Sequence, residues 1–145
     1  DAVYDRDVTK FSIDEMVGSL SRLSVLDIIE KITLFMDVTY VNPEESSGLL
    51  WDYPDLSEKI SILSSNSNGE TSQLFNDKKH SFFTYSLLKG LSGNADDGDN
   101  IIDLGEVTEY VYKSVPENIR NQPGSLRQNP KFNGLDLKRV LLDLR

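Results

Sequence analysis

The chain has 145 residues, with 38% hydrophobic and 27% charged side chains, which is typical of one globular domain rather than a disordered, collagen-like or membrane-spanning protein. Fifteen basic and 24 acidic residues give a formal charge of −9, which disfavours binding to nucleic acid or to an anionic membrane. Cysteine is absent and His80 is the only histidine, so thiol nucleophiles, disulfides and zinc–thiolate sites are excluded and imidazole-based triads are incomplete.

The N-terminal residues are polar and acidic, and they show no signal peptide. The missing initiator methionine suggests that an upstream segment has been removed, so the location is left unknown, with the cytoplasm favoured.

Hydrophobic spacing predicts the first helix and the first strand. Ser12 and Glu15 are spaced as a capping box, so a helix should begin at Ile13. Its buried face is predicted from helical spacing and consists of Ile13, Met16, Val17, Leu20 and Leu23. The apolar run over residues 31–38 is typical of a strand covered on both faces, and we interpret it as a central parallel strand.

Two long polar loops are predicted, over about 41–58 and 66–79, on either side of a short strand at residues 59–65. The next helix should span residues 81–91 and end at Gly90 or Gly93. Its apolar side is expected to hold Phe83, Leu87, Leu88 and Leu91.

An acidic turn at residues 96–100 precedes a further helix that should end at Pro116. Residues 121–134 are predicted to be a polar loop, and the apolar run at 140–142 a terminal strand. Alternation of strands and helices indicates an α/β fold, in which sites lie beyond the carboxyl ends of the strands. The loops after Val38 and Leu63 are therefore the predicted site.

Several segments, in this order, resemble bacterial caspase-like domains, the group that includes relatives of metacaspases. Residues 34–40 look like the strand that ends in Asp-Ala-Cys-Tyr in that family. The segment His80–Leu91 is similar to the family's Gly-x-Phe-Thr-Tyr-x-Leu-Leu-x-Gly-Leu helix, which is the most specific match. Residues 96–110 resemble the acidic turn and following helix, and Gln128-Asn129-Pro130 resembles a Gln-x-Pro motif. The resemblance covers about residues 5–142.

The resemblance implies a three-layer α/β/α sandwich with a mostly parallel central sheet. Residues 1–145 would form a single domain fragment whose N-terminal part, with the catalytic histidine, is missing. Thr39 stands where the family has its nucleophilic cysteine, and an internal threonine hydroxyl needs a dedicated base. The chain therefore looks like a pseudoprotease that acts as a peptide or protein recognition or scaffolding module. The alternative is part of an active cysteine endopeptidase whose catalytic residues lie on a segment not in this chain.

The resemblance also implies a pocket for a basic ligand side chain, with the candidate contacts Asp37, Tyr40, Glu70 and Ser72. Asp37 has a second interpretation as an internal hydrogen-bonding anchor, since a carboxylate at a strand end requires partners. The aromatic residues Tyr40, Trp51 and Tyr53 either form a recognition surface or pack the first long loop down. The expected partners are a basic peptide or protein and the N-terminal remainder of the domain, or a companion chain in its place.

The sequence implies no cofactor, although calcium is a candidate ligand of the acidic turn, with the ligand set Asp96, Asp97, Asp99 and Glu106. An EF-hand loop that ends at Glu106 as its twelfth residue would begin at Ala95, which has no ligand oxygen. The competing interpretation is a solvated turn in which Glu106 favours a helix N-terminus. The basic residues Lys78, Lys79, Lys138 and Arg139 form no stripe and are expected to be solvated.

Overall fold

The computed structural model describes residues 13–38, 57–67 and 69–145. The first helix, α1, spans Ile13–Ser24 and begins at the predicted residue. Met16 and Leu20, one turn apart, pack against the sheet as predicted. Leu23 was wrongly assigned to the buried face, because its side chain is 44% exposed and the buried position in the last turn belongs to Ser24.

The described residues form a main sheet of three strands. Strand β1 spans Ile32–Met36 and runs parallel to β2, Ile60–Ser64, whose other edge pairs antiparallel with β6, Lys131–Asn133. The prediction that the first strand is central is wrong for the described residues, in which β2 is central and β1 is an edge. All five residues of β2 are buried, whereas four of the five in β1 are only half-buried.

A short hairpin follows the sheet and leads into the second helix. Strands β3, Leu74–Phe75, and β4, His80–Ser81, pair antiparallel around a 3-10 turn at Asn76–Lys78, so the predicted loop over 66–79 ends earlier than expected. Helix α2, Phe82–Lys89, continues into a π-helical turn at Gly90–Asn94.

The chain leaves this π-helical turn through Gly93, which has a φ of 108°. Gly93, rather than Gly90, therefore ends the helix, because a positive φ costs little conformational energy in glycine and more in other residues.

The C-terminal part forms another two-stranded sheet beside the longest of the described helices. Strand β5, Ile101–Asp103, pairs antiparallel with β7, Val140–Asp143, and helix α3 spans Leu104–Arg120. The terminal strand was predicted, whereas β5 and β6 were not. The prediction that α3 ends at Pro116 is wrong, because the buried stripe continues through Val115 to Ile119, which is 6% exposed. This burial offsets the loss of one main-chain hydrogen bond at the proline.

Helices pack against alternate residues of β2. Ile60 and Ile62 form one apolar cluster with Met36 and the buried side of α1. Leu63 belongs to a larger cluster with α2 and α3, whose buried members are Leu63, Phe82, Phe83, Leu87, Ile102, Val107, Val111, Val115 and Ile119. The fold is therefore mixed α/β with small mixed sheets. Of the helices that the described residues form, none is both long and apolar enough to cross a bilayer.

Candidate functional site

The carboxyl end of β1 places Asp37 among hydroxyl groups from three other segments. Its carboxylate accepts hydrogen bonds from Ser72 Oγ at 2.5 Å and from Thr84 Oγ1 at 2.5 Å, and a third from Ser81 Oγ. Asp37 itself is exposed, and among the described residues no lysine or arginine forms an ion pair with it. We call Asp37 and its three hydroxyl donors the Asp37 cluster.

The start of α2 explains why two of these hydroxyls point to Asp37. Ser81 is the N-cap, and its Oγ accepts a hydrogen bond from Thr84 N at 2.8 Å, so its own proton is free for the carboxylate. Thr84 lies in the first turn of the same helix. A negative charge at this place is favoured by the helix dipole as well as by the hydroxyls.

Hydrogen bonds of the main chain and of the Ser65 hydroxyl join the carboxyl ends of β1 and β2. Ser65 N donates to Met36 O at 2.8 Å, and Ser65 Oγ accepts from Val38 N at 3.2 Å. The same hydroxyl donates to Asn66 Oδ1 at 2.7 Å, and both Ser65 and Asn66 are completely buried. These bonds fix the backbone directly after Asp37.

Gln128 links this strand end to the loop after β2. Its side chain is 1% exposed, its Nε2 donates to Ser65 O at 2.8 Å, and its Oε1 accepts from Gln73 N at 2.9 Å. Gln73, next to Ser72, in turn bonds the main chain of Leu126 in both directions, at 2.5 and 2.7 Å. The position of Ser72 is therefore set by a polar network that is buried at Gln128 and reaches the surface at Leu126.

Glu70, predicted as a ligand contact, lies in a separate set of interactions. Its carboxylate accepts from Asn129 N at 2.6 Å, from Asn129 Nδ2 at 2.5 Å and from Ser67 N at 3.3 Å, and Arg127 Nε lies 3.5 Å away. The structure thus brings Asp37 and Ser72 together and uses Glu70 to hold the 127–129 segment.

Several predicted residues lie outside the described part of the chain. Thr39, Tyr40, Trp51 and Tyr53 are among them, as is Ser12. His80 is described: it is exposed on β4, where it pairs with Phe75 across the hairpin. The role of Thr39 stays a prediction from the sequence.

The acidic turn brings three carboxylates together, since one ligand oxygen from each of Asp96, Asp97 and Asp99 lies within 4.8 Å of the others. The carboxylate of Glu106 accepts main-chain hydrogen bonds from Asp97 N at 2.9 Å, within the turn, and from Asp103 N at 2.8 Å. The second bond completes a capping box at the start of α3.

The backbone of the acidic turn agrees with the EF-hand count at one position: Asn100, the sixth residue, has a φ of 65°, which suits that position.

The Asp103 carboxylate forms an ion pair with Lys138 Nζ at 3.1 Å, which raises the pKa of Lys138. Lys138 is therefore ion-paired rather than only solvated.

Sequence reasoning missed Ser81, Thr84 and Gln128 as parts of the site. Ser81 carried the signal of an N-cap before an apolar helix, and Gln128 stood in a motif that had been noted without a role. Comparisons with protein-family models, curated proteins and solved structures found no match for this chain.

Proposed function

We propose that this chain is a pseudoprotease of the caspase-like type that binds a peptide or protein ligand through a basic side chain at Asp37. One observation carries the proposal: the Asp37 carboxylate is exposed at a strand end, and three hydroxyls orient it while no described cation neutralises it. A carboxylate offers about four acceptor sites, so its contacts with the described residues leave one for a ligand.

Hydrogen bonds from neutral hydroxyls leave the charge of Asp37 uncompensated, which an ion pair within the chain would not do, and this suits a binding site. Ser72 and Thr84 donate to Asp37 without adding charge, so the negative charge stays available to an arginine or lysine of the ligand. Ser81 is fixed as the N-cap of α2, and Ser72 lies next to Gln73, which is bonded to Gln128. A pre-oriented carboxylate loses little conformational entropy on binding.

Recognition is favoured over catalysis because the candidate nucleophile position holds Thr39 and the chain contains no cysteine. A hydroxyl is a weak nucleophile without an adjacent base, and His80 lies on the hairpin rather than in an N-terminal strand. The alternative, a peptidase completed by another segment, predicts turnover that requires Thr39 or a nucleophile supplied by that segment.

A binding experiment distinguishes ligand recognition through Asp37 from catalysis. Blocked peptides that differ only in arginine, lysine or glutamine at one position are titrated against the chain and against Asp37→Asn. We expect preference for the basic peptides and a loss of about tenfold in their affinity in Asp37→Asn, since hydrogen bonds to charged groups contribute about 1.5–3 kcal/mol and exposure reduces this.

Asp27→Asn is the matched control, because Asp27 is an exposed carboxylate on a turn away from the site. Equal affinity for the glutamine and arginine peptides, or an unchanged affinity in Asp37→Asn, would leave Asp37 as an anchor only. Cleavage of the peptides by a longer chain, abolished by Thr39→Ala, would establish the peptidase instead.

We further propose that a segment N-terminal to this chain, or a companion chain in its place, pairs with β1. Among the described strands β1 pairs with β2 alone, and the Thr33 hydroxyl is buried without a hydrogen-bond partner in the described residues. An unpaired strand edge promotes association. A chain extended upstream should melt cooperatively as a monomer, and the 145-residue chain should associate. A monomeric, cooperatively melting 145-residue preparation would contradict this.

A further inference from the structure

A basic cleft of about 340 Å³ lies between the tip of the β3–β4 hairpin and the exposed face of α2. None of its lining residues belongs to the Asp37 cluster, and the function proposed above does not involve it. Its lining residues are Lys78, His80, Tyr85, Leu88, Lys89 and Ser92.

Aromatic packing fixes the walls of the cleft. Phe75 of the hairpin stacks on Phe82 of α2 with ring centroids 4.7 Å apart, and it meets Tyr85 edge-on at 5.2 Å. Lys78 Nζ lies 5.8 Å from the centre of the Tyr85 ring, a cation–π distance that holds the lysine over the cleft. The hairpin tip is thus attached to the helix before any ligand arrives.

The floor of the cleft is one stripe of α2 and the turn that follows it. Tyr85, Leu88, Lys89 and Ser92 recur at the spacing of a single helix face. Leu88 was predicted to lie in the core but is 50% exposed. An apolar side chain is therefore exposed in a cleft that lysines also line.

The charge of the cleft is opposite to that of the whole chain. Residues 76–92 carry three lysines against one aspartate, although the chain has a net charge of −9. None of the lining residues is acidic, and neither Lys78 nor Lys89 forms an ion pair among the described residues. Lys78 is exposed, as predicted, and the cleft adds that it shares a local basic surface with Lys89.

We propose that this cleft binds an acidic peptide segment of a partner protein. Its carboxylates pair with Lys78 and Lys89, and an apolar side chain between them covers Leu88 and the Tyr85 ring. Complementary charge and one apolar contact together select such a segment over a bare anion. The ligand differs in charge from the one expected at Asp37, so this proposal stands independently of that site.

The probe is a blocked Glu-Glu-Leu-Glu-Glu peptide, titrated against the full chain by fluorescence anisotropy. We expect saturable binding that weakens with ionic strength, and a loss of about two- to fivefold in Lys78→Gln and in Lys89→Gln, as for exposed ion pairs. Leu88→Ser should also weaken it. Lys113→Gln is the matched control, since it removes an exposed lysine from α3, where Lys113 pairs with Glu109.

These side chains are exposed, so the variants should keep the melting temperature of the parent chain, which is measured alongside. An equal loss of peptide affinity in Lys113→Gln would overturn the proposal, because it would show that the peptide is attracted by surface lysines in general rather than bound at the cleft. Equal affinity for Glu-Glu-Gly-Glu-Glu, or displacement of the peptide by millimolar inorganic phosphate, would assign a bare anion site instead. Self-association that Lys89→Gln abolishes would assign the cleft to a second copy of this chain.

Discussion

Replacing Gln128 by alanine should destabilise the fold more than its place in a polar loop suggests. The substitution removes two hydrogen bonds in a side chain that is 1% exposed, and it leaves Ser65 O and Gln73 N without their partners. A buried polar group left unsatisfied costs about 1–3 kcal/mol, and the cavity adds to this. We therefore expect the free energy of unfolding to fall by about 2–5 kcal/mol, a large share of the roughly 5–15 kcal/mol of a typical domain.

Equilibrium unfolding in urea measures this loss, with Gln122→Ala as the control, because the Gln122 side chain makes no hydrogen bond among the described residues. Gln128→Glu separates the two bonds: a carboxylate still accepts from Gln73 N but cannot donate to Ser65 O. A loss in Gln128→Ala of less than about 1 kcal/mol, or one equal to that of Gln122→Ala, would refute the reasoning.

Three further outcomes are expected. Gly134→Ala should cost at least about 2 kcal/mol, because its Cβ would lie 2.6 Å from Ser61 Oγ, whereas Gly18→Ala in open space on α1 should gain about 0.5–1 kcal/mol; urea unfolding checks both. Calcium should leave the melting temperature unchanged, because both oxygens of Glu106 already accept main-chain hydrogen bonds; a rise that depends on calcium concentration would contradict this. Burial raises the pKa of Tyr112 above its ordinary value of 10.0, so stability should fall as the pH rises from there through the folded-state pKa, and Tyr112→Phe should flatten that fall in alkaline unfolding curves.

The sequence was sufficient where one strong local signal decided the structure. The start of α1 at Ile13 and the strand at Ile60–Ser64 follow from capping and spacing, which depend on neighbouring residues. The short strands Ile101–Asp103 and Lys131–Asn133 were missed because three residues carry too little alternation to distinguish a strand from a loop.

Errors arose where tertiary packing overrode a local rule. Pro116 breaks helices in isolation, but in α3 the burial of Ile119 beyond it keeps the helix continuous. Leu88 fits the apolar spacing of α2, yet the core is already filled on that helix by Phe83 and Leu87. Spacing identifies which residues share a face, whereas the neighbouring elements decide which face is covered.

The site was predictable only in part, for a related reason. Asp37 and Ser72 were candidates because the resemblance to caspase-like domains implied a pocket for a basic side chain, and the structure joins them at 2.5 Å. Ser81, Thr84 and Gln128 lie far from Asp37 in the sequence, and only the packing of α2 and of the 126–130 segment brings them close. Glu70 also lies in a polar loop, and its carboxylate accepts hydrogen bonds from Asn129 and so holds the 127–129 segment.

The buried polar residues at the strand ends bear on whether Asp37 binds a ligand or anchors the fold. Ser65, Asn66 and Gln128 are each at most 1% exposed, and burying such groups is favourable only when their hydrogen bonds are satisfied. The hydroxyls of Ser81 and Thr84 would be sufficient to anchor Asp37 within the fold. The additional network fixes the loop that carries Ser72, and it thereby fixes the remaining donor to an exposed carboxylate. Such rigidity around a solvent-facing charge favours recognition, because it keeps the carboxylate in one orientation before a ligand arrives.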